Sequence, residues 1–244
     1  MSVEVVWSCY GFVMGQCAGS RWTPVPGVTV LEGHDASGWG WNVIALTRAA
    51  GGLVLYSPSW LGSDTFDRVD ALGAVEVLLV PSHFHHLTLE RFRERYPKAR
   101  TVAPRRALAR LEAQGHSGLA ALEEEPGALP QGARWLDCEG LKTGEGWLFL
   151  ETPAGRALVA CDTWMNRVRQ LRGLKGFFTG KVVPEGLSVP ATLRWLHASD
   201  LPRYARWARA TLAAERPRVL IPSHGEPLSV PDLCERLLAL IPSS

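Results

Sequence analysis

No apolar run in the 244-residue sequence approaches the ~20 residues that a membrane-spanning helix requires. The first twenty residues carry Glu4 but no lysine or arginine, unlike a secretory leader. Both absences point to a soluble, cytoplasmic protein without a membrane partner. Cysteine is sparse and unpatterned: Cys9, Cys17, Cys138, Cys161 and Cys234 are odd in number and contain no Cys-x-x-Cys pair, which argues against a disulfide framework and against a zinc ribbon. Cys161, ending an apolar run, and Cys234, in a Leu-rich helical pattern, read as small core residues. Charge excess is missing too, since 26 Lys and Arg against 24 Asp and Glu leave +2, so bulk charge gives no reason to expect nucleic acid or a membrane surface as partner. Tandem repeats and low-complexity tracts are absent.

Hydrophobic residues are plentiful at 46%, enough for a substantial core in one large domain. Strand-length runs rich in Val, Ile and Leu recur at 28–31, 42–47, 53–56, 75–80, 147–151, 157–161 and 219–221. Helical patterns fall at 64–72, 89–96, 105–113, 202–214 and 232–241, with Ser199 or Asp200 as cap of the fourth and Pro202 in its first turn. Strand follows strand early and helices interleave later, which predicts an α/β protein whose sheets are covered by helices. Residues 117–131 and 163–196 read as loop-like, but neither separates halves that could each complete a core. We therefore expect a single domain over 1–244, with its core at about 28–241 and an N-terminal extension over 1–27. Among ten tryptophans, Trp60 and Trp164 follow strand-like runs and are placed to line a pocket.

Candidate chemistry gathers at strand ends. Ser82-His83-Phe84-His85-His86 follows the 75–80 run, and on an extended chain His83 and His85 project the same way, toward one metal, while Phe84 turns into the core. Seven histidines in 244 positions produce roughly 0.2 His-x-His spacings by chance, so the pair carries weight only through its surroundings. Asp162 ends the 157–161 run and His224 ends 219–221 in Ile-Pro-Ser-His-Gly. Three strand ends converging on one sheet edge can hold ligands rigidly, although Asp162 also reads as a turn or cap residue and His224 as a surface loop histidine.

The order of strand, His-x-His, a later Val-Ala-Cys-Asp and a final Leu-Ile-Pro-Ser-His-Gly-Glu-Pro resembles the metallo-β-lactamase superfamily over about residues 28–241. The resemblance implies a four-layer αββα sandwich that binds one or two metals at one edge. His83 and His85 match its first two ligands, Asp162 its bridging carboxylate and His224 its last ligand; Asp162 and His85 are also the candidate catalytic residues. Leu87 stands where the family's motif has Asp, Thr88 where it has a third His, and Leu141 lies where it often has a further His. Tyr56-Ser57-Pro58 replaces an early Asp-x-Gly turn. This combination is similar to a divergent branch of unknown function.

With three ligands gone, at most one tightly bound divalent metal per chain is expected, zinc first, with iron or manganese as alternatives. Thr88 reads as the N-cap of the following helix and Leu87 as packing inward. His86 offers an imidazole next door, though it points away from His85 on an extended chain. Eight basic residues between Arg91 and Arg110 face Glu94 alone, and Trp164–Lys181 carries five with no acid. Such a rim suits an anionic small molecule, unless these are solvated helix faces. The expected function is a metal-dependent hydrolase acting on a small ester, thioester or amide. The alternatives are a catalytically silent relative that binds a metabolite or protein, and, as a poorer fit to the net charge, a nucleic-acid-processing protein.

Overall fold

The computed structural model describes residues 21–49, 51–125 and 127–242; Cys9 and Cys17 lie outside them. Strands β1 (Arg21–Val25), β2 (Val28–His34), β3 (Gly40–Thr47), β4 (Leu53–Tyr56), β5 (Val75–Leu79), β6 (Arg100–Ala103) and β7 (Ala120–Ala121) form one sheet in chain order. Its pairing is antiparallel through β4 and parallel from there to β7. Helices α1 (Thr65–Asp70), α2 (Leu89–Arg95) and α3 (Arg105–Ala113) connect its later strands. The chain continues through β8 (Arg134–Asp137), β9 (Gly146–Thr152), β10 (Gly155–Ala160), β11 (Met165–Arg167), α4 (Gly173–Val182), β12 (Gly186–Ser188), α5 (Leu201–Glu215), β13 (Val219–Pro222), β14 (Leu228–Ser229) and α6 (Leu233–Leu240). A second sheet runs β14-β13-β10-β9-β8, with β10 and β13 parallel, while β11 and β12 pair on their own.

Alternation of side chains along the strands sorts them into three cores, and these define four layers. Ile44 and Leu46 of β3 join Val54 and Tyr56 of β4 and meet Leu148, Val159 and Ile221 of the facing sheet. Val43 and Ala45 point the other way and pack on Leu89, Phe92 and Leu111 of α2 and α3. In the second sheet Trp147, Phe149 and Leu158 are covered by Tyr204, Ala208 and Leu212 of α5 and Leu237 of α6. Central strands buried on both faces read as unbroken apolar runs. The architecture is the αββα sandwich. Asp200 caps α5, its Oδ1 accepting from Arg203 N at 2.9 Å.

Several local expectations give way. β1 falls within the stretch set aside as an extension, yet it pairs with β2. Helix α4 forms within the loop-like 163–196 region, hidden by Gly173, Gly176 and Gly180, which are poor helix formers. Trp164 is fully buried against Trp147 in the core, not at a pocket. Leu87 is 72% exposed rather than packed inward. Thr88 occupies the N-cap position of α2 without capping it: its hydroxyl accepts from Trp60 N and donates to Pro58 O, tying down the segment after β4. No helix among the described residues is long and apolar enough to cross a membrane.

Candidate functional site

The site lies where both sheets end, and β3 clamps them together there. Asn42 is fully buried and its Nδ2 donates to Pro222 O at 2.8 Å and Gly225 O at 2.7 Å, while its backbone N–H donates to Ser223 O at 2.8 Å. The Ser223-His224-Gly225 turn is pinned from its other side by Asn166, whose N–H donates to His224 O. Gly225 has φ +93°, and a Cβ there would sit 2.0 Å from Asn166 O, so the glycine of the final motif is sterically required. Before β3, the Asp35 carboxylate accepts from Ser37 N, Ser37 Oγ and Trp39 N. That Asx turn places Gly40 O and the Trp39 ring against His224.

His224 Nδ1 lies 2.9 Å from Gly40 O, and a carbonyl only accepts, so the ring proton sits on Nδ1. Its Nε2 faces Asp162 Oδ1 at 3.4 Å, and Trp39 stacks on the ring with centroids 5.0 Å apart. His85 approaches the same oxygen, Nε2 to Oδ1 at 3.1 Å, and its Nδ1 is 2.6 Å from Ser57 Oγ. Ser57 adopts φ +58°, a left-handed conformation that side chains rarely take. Burial works to raise the Asp162 pKa, but His85 and the hydrogen bond from His224 outweigh it and hold the carboxyl well below the usual range. A neutral His85 can accept from Ser57 Oγ and donate from Nε2 to Asp162, whereas His224, with Nδ1 committed to Gly40 O, faces the carboxylate favourably only with a second proton or a metal ion at Nε2.

The structure treats the remaining candidates differently. Residues 82–88 form turns rather than an extended strand, so the alternation expected to align His83 with His85 does not operate. His83 Nδ1 donates to Thr143 O at 2.9 Å, and the lone pair left on Nε2 receives Arg110 Nη1 at 3.2 Å. His83 is thus a satisfied neutral ring, and burial pushes its pKa down. Phe84 is half-buried, with its ring against His83 and His197. His86 belongs to a separate chain: Glu90 Oε1 accepts from His116 Nδ1 at 2.7 Å, so His116 Nε2 accepts from His86 Nδ1, also at 2.7 Å. Burial and the neighbouring histidines push His86 down to about 4.

Two residues that drew no attention in the sequence stand beside Asp162. Glu145 is buried between Gly144 and Gly146, and His197 is buried just before α5. Ligand atoms of Glu145, Asp162 and His197 lie within 4.8 Å of one another, as do those of His85, Cys161 and Asp162. Burial, with the Asp162 charge second, pushes Glu145 up to about 8. Burial also drives the Cys161 thiol well above its ordinary value, which leaves it protonated and a poor ligand. A lone acid between two glycines ahead of an apolar strand was a readable signal for Glu145. His197 had none.

Half of the basic run is consumed in pairing: Arg93 with Glu90, Arg95 with Asp70, Arg100 with Glu125 and Arg105 with Glu124. Arg91 lies over the Trp60 ring at 4.8 Å. Arg110, exposed, brings its guanidinium to the site through His83.

The sequence matches no protein-family profile and no curated protein. Solved structures supply the likeness. The DIM-1 metallo-β-lactamase superposes with a TM-score of 0.60 at 12% identity, over 91% of this chain and 96% of that one. A metallo-β-lactamase from Erythrobacter litoralis gives 0.61 at 13%, over 93% and 97%. Rubredoxin oxygen:oxidoreductase from Desulfovibrio gigas gives 0.63 at 10%, over 91% of this chain and 60% of that one. This chain has the metallo-β-lactamase fold.

Proposed function

We propose that this protein is a metal-dependent hydrolase of small ester, thioester or amide substrates, with a single divalent ion at the ligand positions the resemblance implies. The carrying observation is the convergence of His85 Nε2 and His224 Nε2 on Asp162 Oδ1 at 3.1 and 3.4 Å. The donor set fits a zinc ion that keeps an open position, and the other nitrogen of each ring is anchored, by Ser57 and Gly40 respectively. A divalent ion held there supplies Lewis acidity toward a carbonyl and acidifies water. Iron and manganese suit the same nitrogen and oxygen donors. His83 joins the ligands only by exchanging Arg110 for the ion. Arg110 at the rim can instead receive an anionic group of the substrate.

The test compares chelator-stripped and zinc-reloaded protein on aryl ester, thioester and lactone substrates, alongside His85→Ala. Activity that returns with zinc and is lost in His85→Ala supports the reading; hydrolysis indifferent to both refutes it. One observation favours a catalytically silent binding edge instead: an exposed leucine, Leu87, stands at the motif position where the family has an acid. Absence of turnover on every substrate by zinc-loaded protein would select that reading.

A further inference from the structure

We propose that Glu145 and His197 form, with Asp162, a second cation site on the inner side of Asp162. Neither residue is among the positions that the resemblance matches, so this goes beyond the single ion proposed above, sharing only Asp162 with it. The argument starts from unmet bonding. Glu145 Oε1 accepts three donors, Thr163 Oγ1 at 2.7 Å, Thr163 N at 3.1 Å and Cys161 N at 3.2 Å, which fixes the carboxylate plane. Its Oε2 is buried and has no partner. The same holds for Nδ1 of His197, a ring only 4% exposed. Buried polar atoms are almost always paired, and the two residues that carry these orphans each bring a ligand atom within 4.8 Å of one on Asp162, a grouping prepared for something positive.

Rigidity supports the assignment. Glu145 sits at the entry to β9, Asp162 beyond the end of β10 and His197 ahead of α5, where its backbone carbonyl accepts from Lys142 N at 2.9 Å. Glycines let the Glu145 segment approach: a Cβ on Gly144 would lie 2.6 Å from Ala107 N, and one on Gly146 would lie 2.4 Å from the Trp135 ring. Ligand atoms within 4.8 Å of one another reach zinc-like bonds of about 2.0–2.2 Å after a small inward movement. Two carboxylates and one imidazole make a hard-to-borderline donor set, suited to Zn²⁺, Mn²⁺, Fe²⁺ or Co²⁺. It stands in for the ligands lost at Leu87, Thr88 and Leu141 with residues from other elements.

The test is Co²⁺ titration of chelator-stripped full-length protein by calorimetry and visible absorption, for the parent, Glu145→Gln, His197→Gln and His224→Gln. Glu145→Gln is nearly isosteric and keeps an acceptor for the three donors, which guards against misfolding, and a melting curve in chelator checks each variant. The expected result is two equivalents for the parent, the inner one weakened more than ~100-fold in Glu145→Gln and His197→Gln and retained in His224→Gln. Parent-like stoichiometry and affinity in both inner variants overturn the proposal. If His224→Gln still loses an ion in that case, the outer site and the function proposed for it survive. A parent that binds no Co²⁺ overturns both.

Discussion

Asn42 is the point at which fold and site can be separated experimentally. Replacing it by alanine removes two side-chain hydrogen bonds and leaves Pro222 O and Gly225 O without their donor. Each orphaned buried acceptor costs about 1–3 kcal/mol, but Asn42 Oδ1 is itself buried without a partner, so its removal returns about 1 kcal/mol. The backbone bond to Ser223 O survives any side chain. The net expectation is a destabilisation of roughly 2–3 kcal/mol, read as a lower urea midpoint of chelator-stripped protein with unchanged m-value. Because Pro222–Gly225 carries His224, zinc affinity should also fall, by the ~10- to 100-fold typical of a supporting group. Loss of less than ~1 kcal/mol together with parental zinc affinity would refute the reasoning. The β10–β13 pairing and the Asn166 contacts would then suffice to hold the turn.

Other perturbations address the site itself. Ser57→Ala removes the partner of His85 Nδ1 and should weaken zinc binding ~10- to 100-fold with little change in melting; calorimetry that finds full affinity would show Ser57 to be incidental. Leu87→Asp combined with Thr88→His restores two residues of the family pattern and should add one equivalent of metal by elemental analysis. Its stability cost should be only about 1–2 kcal/mol, from the two lost Thr88 hydrogen bonds, because Leu87 is exposed; a much larger loss would contradict that placement. Glu145, held up at about 8 against 4.5 unfolded, keeps its proton in the folded state, so its contribution to stability is complete below pH 4.5 and lost as pH rises through about 8. His83, His86 and His197, lowered by burial, act oppositely below pH 6.5, so the difference between parent and Glu145→Gln is the quantity to follow. In metal-free protein it should move in favour of Glu145→Gln between pH 4.5 and 8, and a difference independent of pH would refute the assignment.

The sequence by itself determined the layers and three of the converging side chains. Apolar runs such as 53–56 and 219–221 are buried on both faces, and a strand buried twice leaves a continuous hydrophobic signature that needs no partner to be legible. Asp162 and His224 were readable because they close such runs. Turn chemistry was partly visible as well, since Gly225 follows His224 where only a glycine fits. Direction was not visible. His83 and His85 differ by two residues, but the 82–88 turns send one to Arg110 and Thr143 and the other to Asp162 and Ser57. Strand periodicity says nothing about a segment whose backbone is not extended. Tertiary structure alone brought Glu145 and His197, 17 residues before and 35 after Asp162 in the chain, to the same carboxylate. It also decided that half of the basic run is spent on ion pairs, because a salt bridge depends on which helix faces lie together, and no local pattern records that.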